Sequence, residues 1–269
     1  MVSLPSVQRF LDKTVAGGAA GPVSRDEIYR DLRFPRGVDV PVARPYTAIN
    51  MVSTVDGKVA IGGPGTTRLI GSPTDHLLMA RIELQADAVL LGAGLVRQDD
   101  PPYPTLTPDQ RAQRTAMGLR PDPLWAVVST RGELEPLPRV FAGPREHTAL
   151  FCGRAIASER RRALEQHTQL FVAETERVDA HWLGRVLREQ LGVGSMICLG
   201  GPTLNATLVE AGAADELFLT LAPKLQGGSH RPTVLEGHGF PPEHLLPLEL
   251  LSLYGDGDEL YLRYRLSAS

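Results

Sequence analysis

Apolar and polar positions along this chain change period several times, and the changes divide it into elements. From Arg44, the run "PYTAINMVSTVDGKVAIGG" reads as a strand, a break at Asp56-Gly57 and a short return strand. The next unit, "SPTDHLLMARIELQADAVLLGAG", begins with Ser72 as N-cap and Pro73 at the first helical position. Leu77, Leu78, Ile82 and Leu84 fall roughly on one side of that helix, and "AVLLG" follows as a buried strand. "PLWAVVST" and "HTALFCG" are two more apolar strands, and "ASERRRALEQHTQLFVA" is a charged helix leading into another. "DAHWLGRVLREQLGVG" is a helix stopped by Gly192 and Gly194, and the strand "SMICLG" comes after it. Strands alternating with helices imply βαβ units and a largely parallel sheet.

Both ends depart from that rhythm. "ELFLTLAPKL" and "LELLSLYGDGDELYLRYRL" alternate, the second folding back at Gly-Asp-Gly-Asp. Leu262, Tyr264 and Leu266 alternate with Tyr261, Arg263 and Arg265, the pattern of a half-buried antiparallel strand. The expected α/β fold therefore has a mixed, mostly parallel central sheet with antiparallel C-terminal strands. In the lead-in, "TVAGGAAGP" reads as a flexible joint, and Ser24 with Glu27 forms the capping box of a short helix. Pro35 and Pro41 then prevent regular structure. The expected division is an extension over residues 1–43 and one domain over residues 44–269.

Composition changes this picture mainly by exclusion. Lys+Arg 28 against Asp+Glu 31 gives a net charge of −3, so no overall positive field exists to hold nucleic acid or an anionic membrane. No apolar run approaches the ~20 residues of a membrane span, and no basic start followed by an apolar core opens the chain. The two cysteines, Cys152 and Cys198, sit in apolar strand sequence and read as buried free thiols, which suits a reducing, cytoplasmic setting. Without a Cys-x-x-Cys pair, neither a zinc deaminase nor a structural zinc site is expected. The expected partners are a small-molecule substrate and a second copy of the chain, because the alternating C-terminal strands suggest an edge suited to pairing as a homodimer.

Candidate chemistry collects at strand ends. Gly200-Gly201 follows a strand and precedes a helix opened by Pro202, with Leu204, Leu208 and Ala211 spaced for packing and Gly212 at the C′ position. Free N–H groups at such a terminus attract phosphate, although the same residues also read as a tight turn that binds nothing. Gly92 and Gly94 end another strand and can face the first pair across a ligand crevice. Asp99 and Asp100, followed by two prolines, form a rigid acidic loop suited to a ribose hydroxyl or to a capped turn. Ser53 and Thr54 alternate with apolar neighbours, so one hydroxyl can point into a pocket, while Asp56 is by default a turn residue. The histidines are scattered and show neither nucleophilic nor metal spacing.

Taken in order, "RPYTAINMVSTVDGKVA", "IGSPTDHLLMARIELQADAVLLGAGLVRQDDPPYPTL" and "LGGPTLNATLVEAGAADELFLTLAPKLQGG" resemble the reductase domain of riboflavin biosynthesis, a domain similar in fold to dihydrofolate reductase. The resemblance runs from about Arg44 to the C-terminus, and the zinc deaminase domain often fused ahead of this reductase is not expected here. It implies a three-layer αβα domain and NADPH-dependent reduction of 5-amino-6-(5-phosphoribosylamino)uracil, whose ribosyl group becomes a ribityl chain. It also implies that Gly200, Gly201, Pro202, Thr203 and Leu204 cradle the NADPH diphosphate, with a cis peptide at the glycine pair. Val52, Leu95, Asp99 and Thr130 fall at other cofactor positions, and Ser53, Gly92 and Gly94 join them as candidates from the strand ends. Asn50 and Asp56 are the candidate catalytic residues, and Thr67, Glu83 and Leu199 the candidate substrate contacts.

Three positions depart from the family pattern. Asn50 stands where a lysine is frequent, Glu83 where an arginine is frequent, and Leu199 where a glutamate holds the pyrimidine. A phosphorylated substrate then needs Arg68, Arg81, Arg97 or Lys58 to offset Glu83. The departures leave two other readings, a reductase of a dihydropterin or another heterocyclic imine, and an NADPH-binding protein without turnover.

Overall fold

The computed structural model describes residues 7–15, 18–63 and 65–267. Ala16 and Gly17 of the expected flexible joint lie outside the described residues. In chain order the elements are β1 (Val7–Asp12), β2 (Gly21–Val23), β3 (Tyr46–Thr54), α1 (Pro73–Glu83), β4 (Ala88–Gly92), α2 (Ala93–Asp99), α3 (Pro108–Ala116), β5 (Leu124–Val128) and β6 (Thr148–Cys152). They continue with α4 (Ser158–Glu165), β7 (Gln169–Val172), α5 (Ala180–Arg185), β8 (Ser195–Cys198), α6 (Pro202–Glu210), β9 (Glu216–Ala222), β10 (Leu248–Asp256) and β11 (Glu259–Leu266).

The uninterrupted apolar strands β4, β6 and β8 are buried along their whole length, as strands covered on both faces must be. One sheet contains all the described strands, in the order β2-β1-β10-β11-β9-β3-β8-β4-β5-β6-β7. Strands β3 to β9 run parallel, and β9, β11, β10, β1 and β2 pair antiparallel in turn. This is the expected mixed sheet. One apolar layer joins Leu78 and Ile82 of α1 and Val96 of α2 to Val89, Leu91, Trp125 and Ile197. The other joins Leu183 of α5 and Leu208 of α6 to Leu90, Ala126 and Cys198. Helices on both faces give three layers.

Two expectations change. No strand returns after the Asp56-Gly57 turn. The chain turns back only as far as Lys58, whose carbonyl accepts the Thr54 N–H at 2.9 Å; beyond it the Val59 N–H goes to the Pro232 carbonyl at 3.0 Å, and the Asp56 carboxylate accepts the backbone N–H groups of Gln226 and Gly227 at 3.0 and 2.7 Å. The C-terminal hairpin is also not an edge. β10 and β11 lie inside the sheet, flanked by β1 and β9, and the edges are β2 and β7.

The lead-in supplies the reason. Ser24 and Glu27 form the capping box, closing a single 3₁₀ turn over Arg25–Glu27, and Ile28, Tyr29, Leu32 and Phe34 are buried beyond it. Tyr29 packs edge-on against Phe218 of β9 and Tyr254 of β10. Along β11 the more deeply buried face carries Tyr261 and Arg263, not the leucines. Arg263 donates two hydrogen bonds to Glu216, at 2.9 and 2.8 Å, and its guanidinium lies 5.2 Å over the Phe218 ring.

Arg114 of α3 is fully buried and completes the exit from α1. Its Nη1 donates to the carbonyls of Leu84 and Ala86 at 3.0 and 2.8 Å, in the turn that leads from the end of α1 into β4. Breaking one partner of a buried pair leaves an uncompensated charge, so Glu216→Gln is expected to cost about 3 kcal/mol in urea unfolding, against near neutrality for the exposed Arg265–Glu249 pair.

Candidate active site

The strand order creates the site. The chain leaves β3, builds β4 to β7 outward, and returns to insert β8 between β3 and β4 before adding β9 on the far side of β3. Ligands bind where such an order reverses, beyond the carboxyl ends of the strands. A cavity of about 1220 Å³ opens there, room enough for a dinucleotide with a second small molecule.

One wall is main chain. β4 ends at Gly92, whose N–H donates to the Gly200 carbonyl at 2.6 Å, and Leu199 N–H donates to the Leu90 carbonyl at 3.0 Å. The Gly200–Gly201 peptide is cis, as the resemblance implied, and Gly200 has a φ of +92°. A Cβ on Gly92 would stand 2.9 Å from the Gly201 nitrogen, so the two turns can touch only while that position stays bare. A Cβ on Gly201 or Gly94 would instead meet nothing within 4 Å. Both of these glycines line the cavity. The glycine pairs at 92–94 and 200–201 thus meet directly and present open backbone at the starts of α2 and α6. Pro202, Thr203 and Leu204 line the same wall.

A second part of the lining comes from β3, α1 and the loop between them. Asn50 and Val52 line it from β3. Thr67 lines it from the 3₁₀ turn before α1, its hydroxyl donating to the Asp99 carboxylate, which also accepts the Gly65 N–H at 3.1 Å. Asp99 is therefore already engaged in joining α2 to that turn. Its neighbour Asp100 is engaged too, holding the Arg139 guanidinium at 2.9 Å. Leu95, Thr130, Glu83 and Leu199 complete the expected residues that reach the cavity.

Three expected residues do not reach it. Asp56 is fully exposed and holds the Gln226–Gly227 turn, and its bonds from Thr54 and the backbone pull its carboxyl down to about 2. Ser53 is buried within the sheet, on the face of β3 away from Asn50 and Val52. Gly200 lies behind the wall, against the Met51 sulfur.

Of the four cations that could offset Glu83, Arg68 and Arg97 line the cavity. Arg81 is turned to the lead-in segment, and Lys58 reaches only the Arg231 carbonyl, at 3.5 Å. Burial pushes the Glu83 carboxyl up to about 7, against a smaller opposing pull from Arg68.

Asp75 is a further wall residue that the residue pattern did not single out. It is 6% exposed, and burial raises its pKa while a hydrogen bond from Thr220 works the other way. His76 and Met79 line the cavity beside it. Asp75, Met79 and Glu83 stand four residues apart, so a stripe on a helix whose next face feeds the core was the available signal. It was masked because Asp in a first helical turn is already explained by the helix dipole.

Comparison with known proteins agrees with this geometry. The RibD C-terminal domain family matches residues 45–262. The chain is 28% identical to the 2,5-diamino-6-ribosylamino-4(3H)-pyrimidinone 5′-phosphate reductase of Archaeoglobus fulgidus over 221 residues, 82% of this chain and 99% of the relative. It is 29% identical to the protein of the same name from Methanothermobacter thermautotrophicus over 222 residues, 82% of this chain and 98% of that one. Among solved structures, a pyrimidine reductase-like protein from Corynebacterium diphtheriae shares the fold with a TM-score of 0.68 at 17% identity, covering 84% of this chain and 93% of that chain.

The raised Glu83 pKa has a pH consequence. Between the ordinary carboxylate range and about 7, the folded protein keeps a proton that the unfolded chain releases, so stability is lost as pH rises through that window. Glu83→Gln removes the ionisation. Its melting temperature should gain on the native protein between pH 5 and pH 8, and parallel melting curves for the two proteins would contradict the assignment.

Proposed function

The chain belongs to the RibD C-terminal domain family, and from that membership and the cavity's two unlike walls we propose that it is an NADPH-dependent pyrimidine reductase acting on a phosphoribosylaminopyrimidine. The enzyme is an oxidoreductase of the riboflavin-pathway type. Its proposed acceptor is 5-amino-6-(5-phosphoribosylamino)uracil, whose ribosyl group becomes ribityl. The catalytic unit spans residues 44–269, with residues 1–43 as its extension.

The carrying observation is the backbone wall where β4 and β8 end. Gly94 and Gly201 present bare backbone there, and with Thr203 in the first turn of α6 they offer N–H groups of the kind a diphosphate requires, while the Gly92 N–H is spent holding the two turns together. When bound, NADPH supplies the hydride. Thr130, with Arg131 and Arg177 at the rim, provides hydroxyl and cationic groups for a 2′-phosphate, which supports NADPH over NADH. Val52 and Leu95 give apolar cover between the two walls.

The facing wall orients the acceptor. Asn50 offers an amide donor and acceptor to a pyrimidine edge, and Thr67 is fixed by Asp99. Opening the ribosyl ring to an imine requires a proton at the ring oxygen. Glu83, whose carboxyl burial pushes up to about 7, can hold that proton near neutral pH, and burial shifts Asp75 in the same direction. Arg68 and Arg97 are the cations available to a substrate phosphate. A second reading, an unphosphorylated heterocyclic imine as acceptor, is favoured by Glu83 standing on this wall.

Two further proposals concern setting. Free, buried Cys152 and Cys198 suit a reducing cytoplasm. We also propose a homodimer formed through a sheet face and not an edge. Leu253, Leu262 and Leu219 are cross-strand neighbours on β10, β11 and β9, as are Tyr264 and Leu217, and all are half-buried. A contiguous apolar face of this kind is characteristic of self-association.

Purified protein should consume reduced nicotinamide with the phosphoribosylaminouracil. The 2,5-diamino form and dihydrofolate serve as parallel arms, and a rate equal to the buffer blank with all of them would end the catalytic reading. Gly94→Ala places a methyl in open space on a helical residue, so stability should hold or rise by about 0.5–1 kcal/mol, while NADPH affinity falls at least roughly tenfold by titration. In light scattering the native chain should show twice its monomer mass, and Leu219→Lys should return it to a monomer.

A further inference from the structure

Helix α1 carries Asp75, His76, Met79 and Glu83 on the cavity side. Its other side is gripped by the segment that precedes the family-matched region. Arg81, in the last turn of α1, donates to the carbonyls of Arg25 and Ile28 and to the Asp26 carboxylate, the last two at 3.0 and 2.8 Å. At the other end, Thr74 donates to the Asp256 carboxylate at 2.7 Å, and that same oxygen receives Arg25 Nη2 at 2.7 Å. Past the helix, Arg33 donates to Gln85 at 3.2 Å. Between these points, Ile28, Leu32 and Phe34 belong to the same buried apolar cluster as Leu78 and Ile82.

We propose that residues 21–34 are a positioning brace that fixes α1 on the sheet and thereby sets acceptor affinity, without any of them touching the acceptor. The proposal rests on the reductase reading above. It takes the α1 wall as the acceptor's and the backbone wall as the cofactor's. A helix seated by hydrogen bonds at both ends and by apolar contacts along one side cannot shift without carrying its cavity-facing side chains with it. Displacements of about 1 Å at a site can cost around a hundredfold in rate. The segment lies outside the 45–262 match, so this control over the acceptor wall belongs to the chain's own lead-in.

The test uses full-length protein. Arg81→Met keeps the aliphatic stem and removes all three hydrogen bonds, and Arg25→Met cuts the Asp256 link as a milder second variant. The acceptor KM of Arg81→Met should rise roughly five- to thirtyfold, with NADPH dissociation by titration unchanged within about twofold, and Arg81→Lys should recover part of the loss. Amide exchange along residues 73–83 should quicken while that along α6 does not, a readout that holds whatever the acceptor is. The native protein's rate tests the activity itself, and the ratio of variant to native tests the brace. Unchanged acceptor KM with only a lower melting temperature, or an equal rise in acceptor KM and NADPH dissociation constant, would overturn it.

Discussion

A single backbone contact organises this molecule: the N–H of Gly92 against the carbonyl of Gly200 at 2.6 Å. It closes the β4–β8 pair beyond the last regular ladder position and brings two βα turns together at the reversal of strand order. Neither turn could approach so closely with a side chain at Gly92. Because β8 enters between β3 and β4 after the outer strands are in place, the contact also registers the late half of the chain against the early half. The cavity is a consequence of that registration. The two turns that meet in it are more than a hundred residues apart in sequence.

The walls differ in kind, and the difference decides which of their residues the fold itself fixes. A backbone wall is specified by glycines and strand register, so changes there disturb the fold as well as the site. A side-chain wall is specified by what projects from α1, β3 and the intervening loop, and those residues can change while the helix stays put. Asn50 and Glu83 line the cavity from that second wall.

Much of this was legible in the sequence because it is local. The Ser72 cap with Pro73, the fully apolar strands and the Gly200-Gly201 turn before α6 each leave their mark within a few residues. What escaped is what depends on remote partners. The return after Asp56 stops at Lys58 because the next backbone N–H, that of Val59, goes to the remote Pro232 carbonyl. Arg263 looked outward by period alone, yet it turns inward to Glu216, 47 positions away in the chain. The C-terminal hairpin looked like an edge because nothing in its own pattern announces that β1, from the other end of the chain, pairs with β10. Asp75 acquires its meaning only once α1 is set against the cavity.

Cys198 lies directly beneath the Gly200 turn, fully buried, with its Sγ donating to Asn205 Oδ1 at 3.4 Å and its thiol pushed up to about 12 by burial. Such a sulfur is shielded from alkylating reagents and mild oxidants while the turn is closed. The protein thus carries a native reporter at its most constrained point. The rate at which a maleimide reaches that atom measures how often the floor of the site comes apart, and it does so in the unmodified enzyme, without any introduced label.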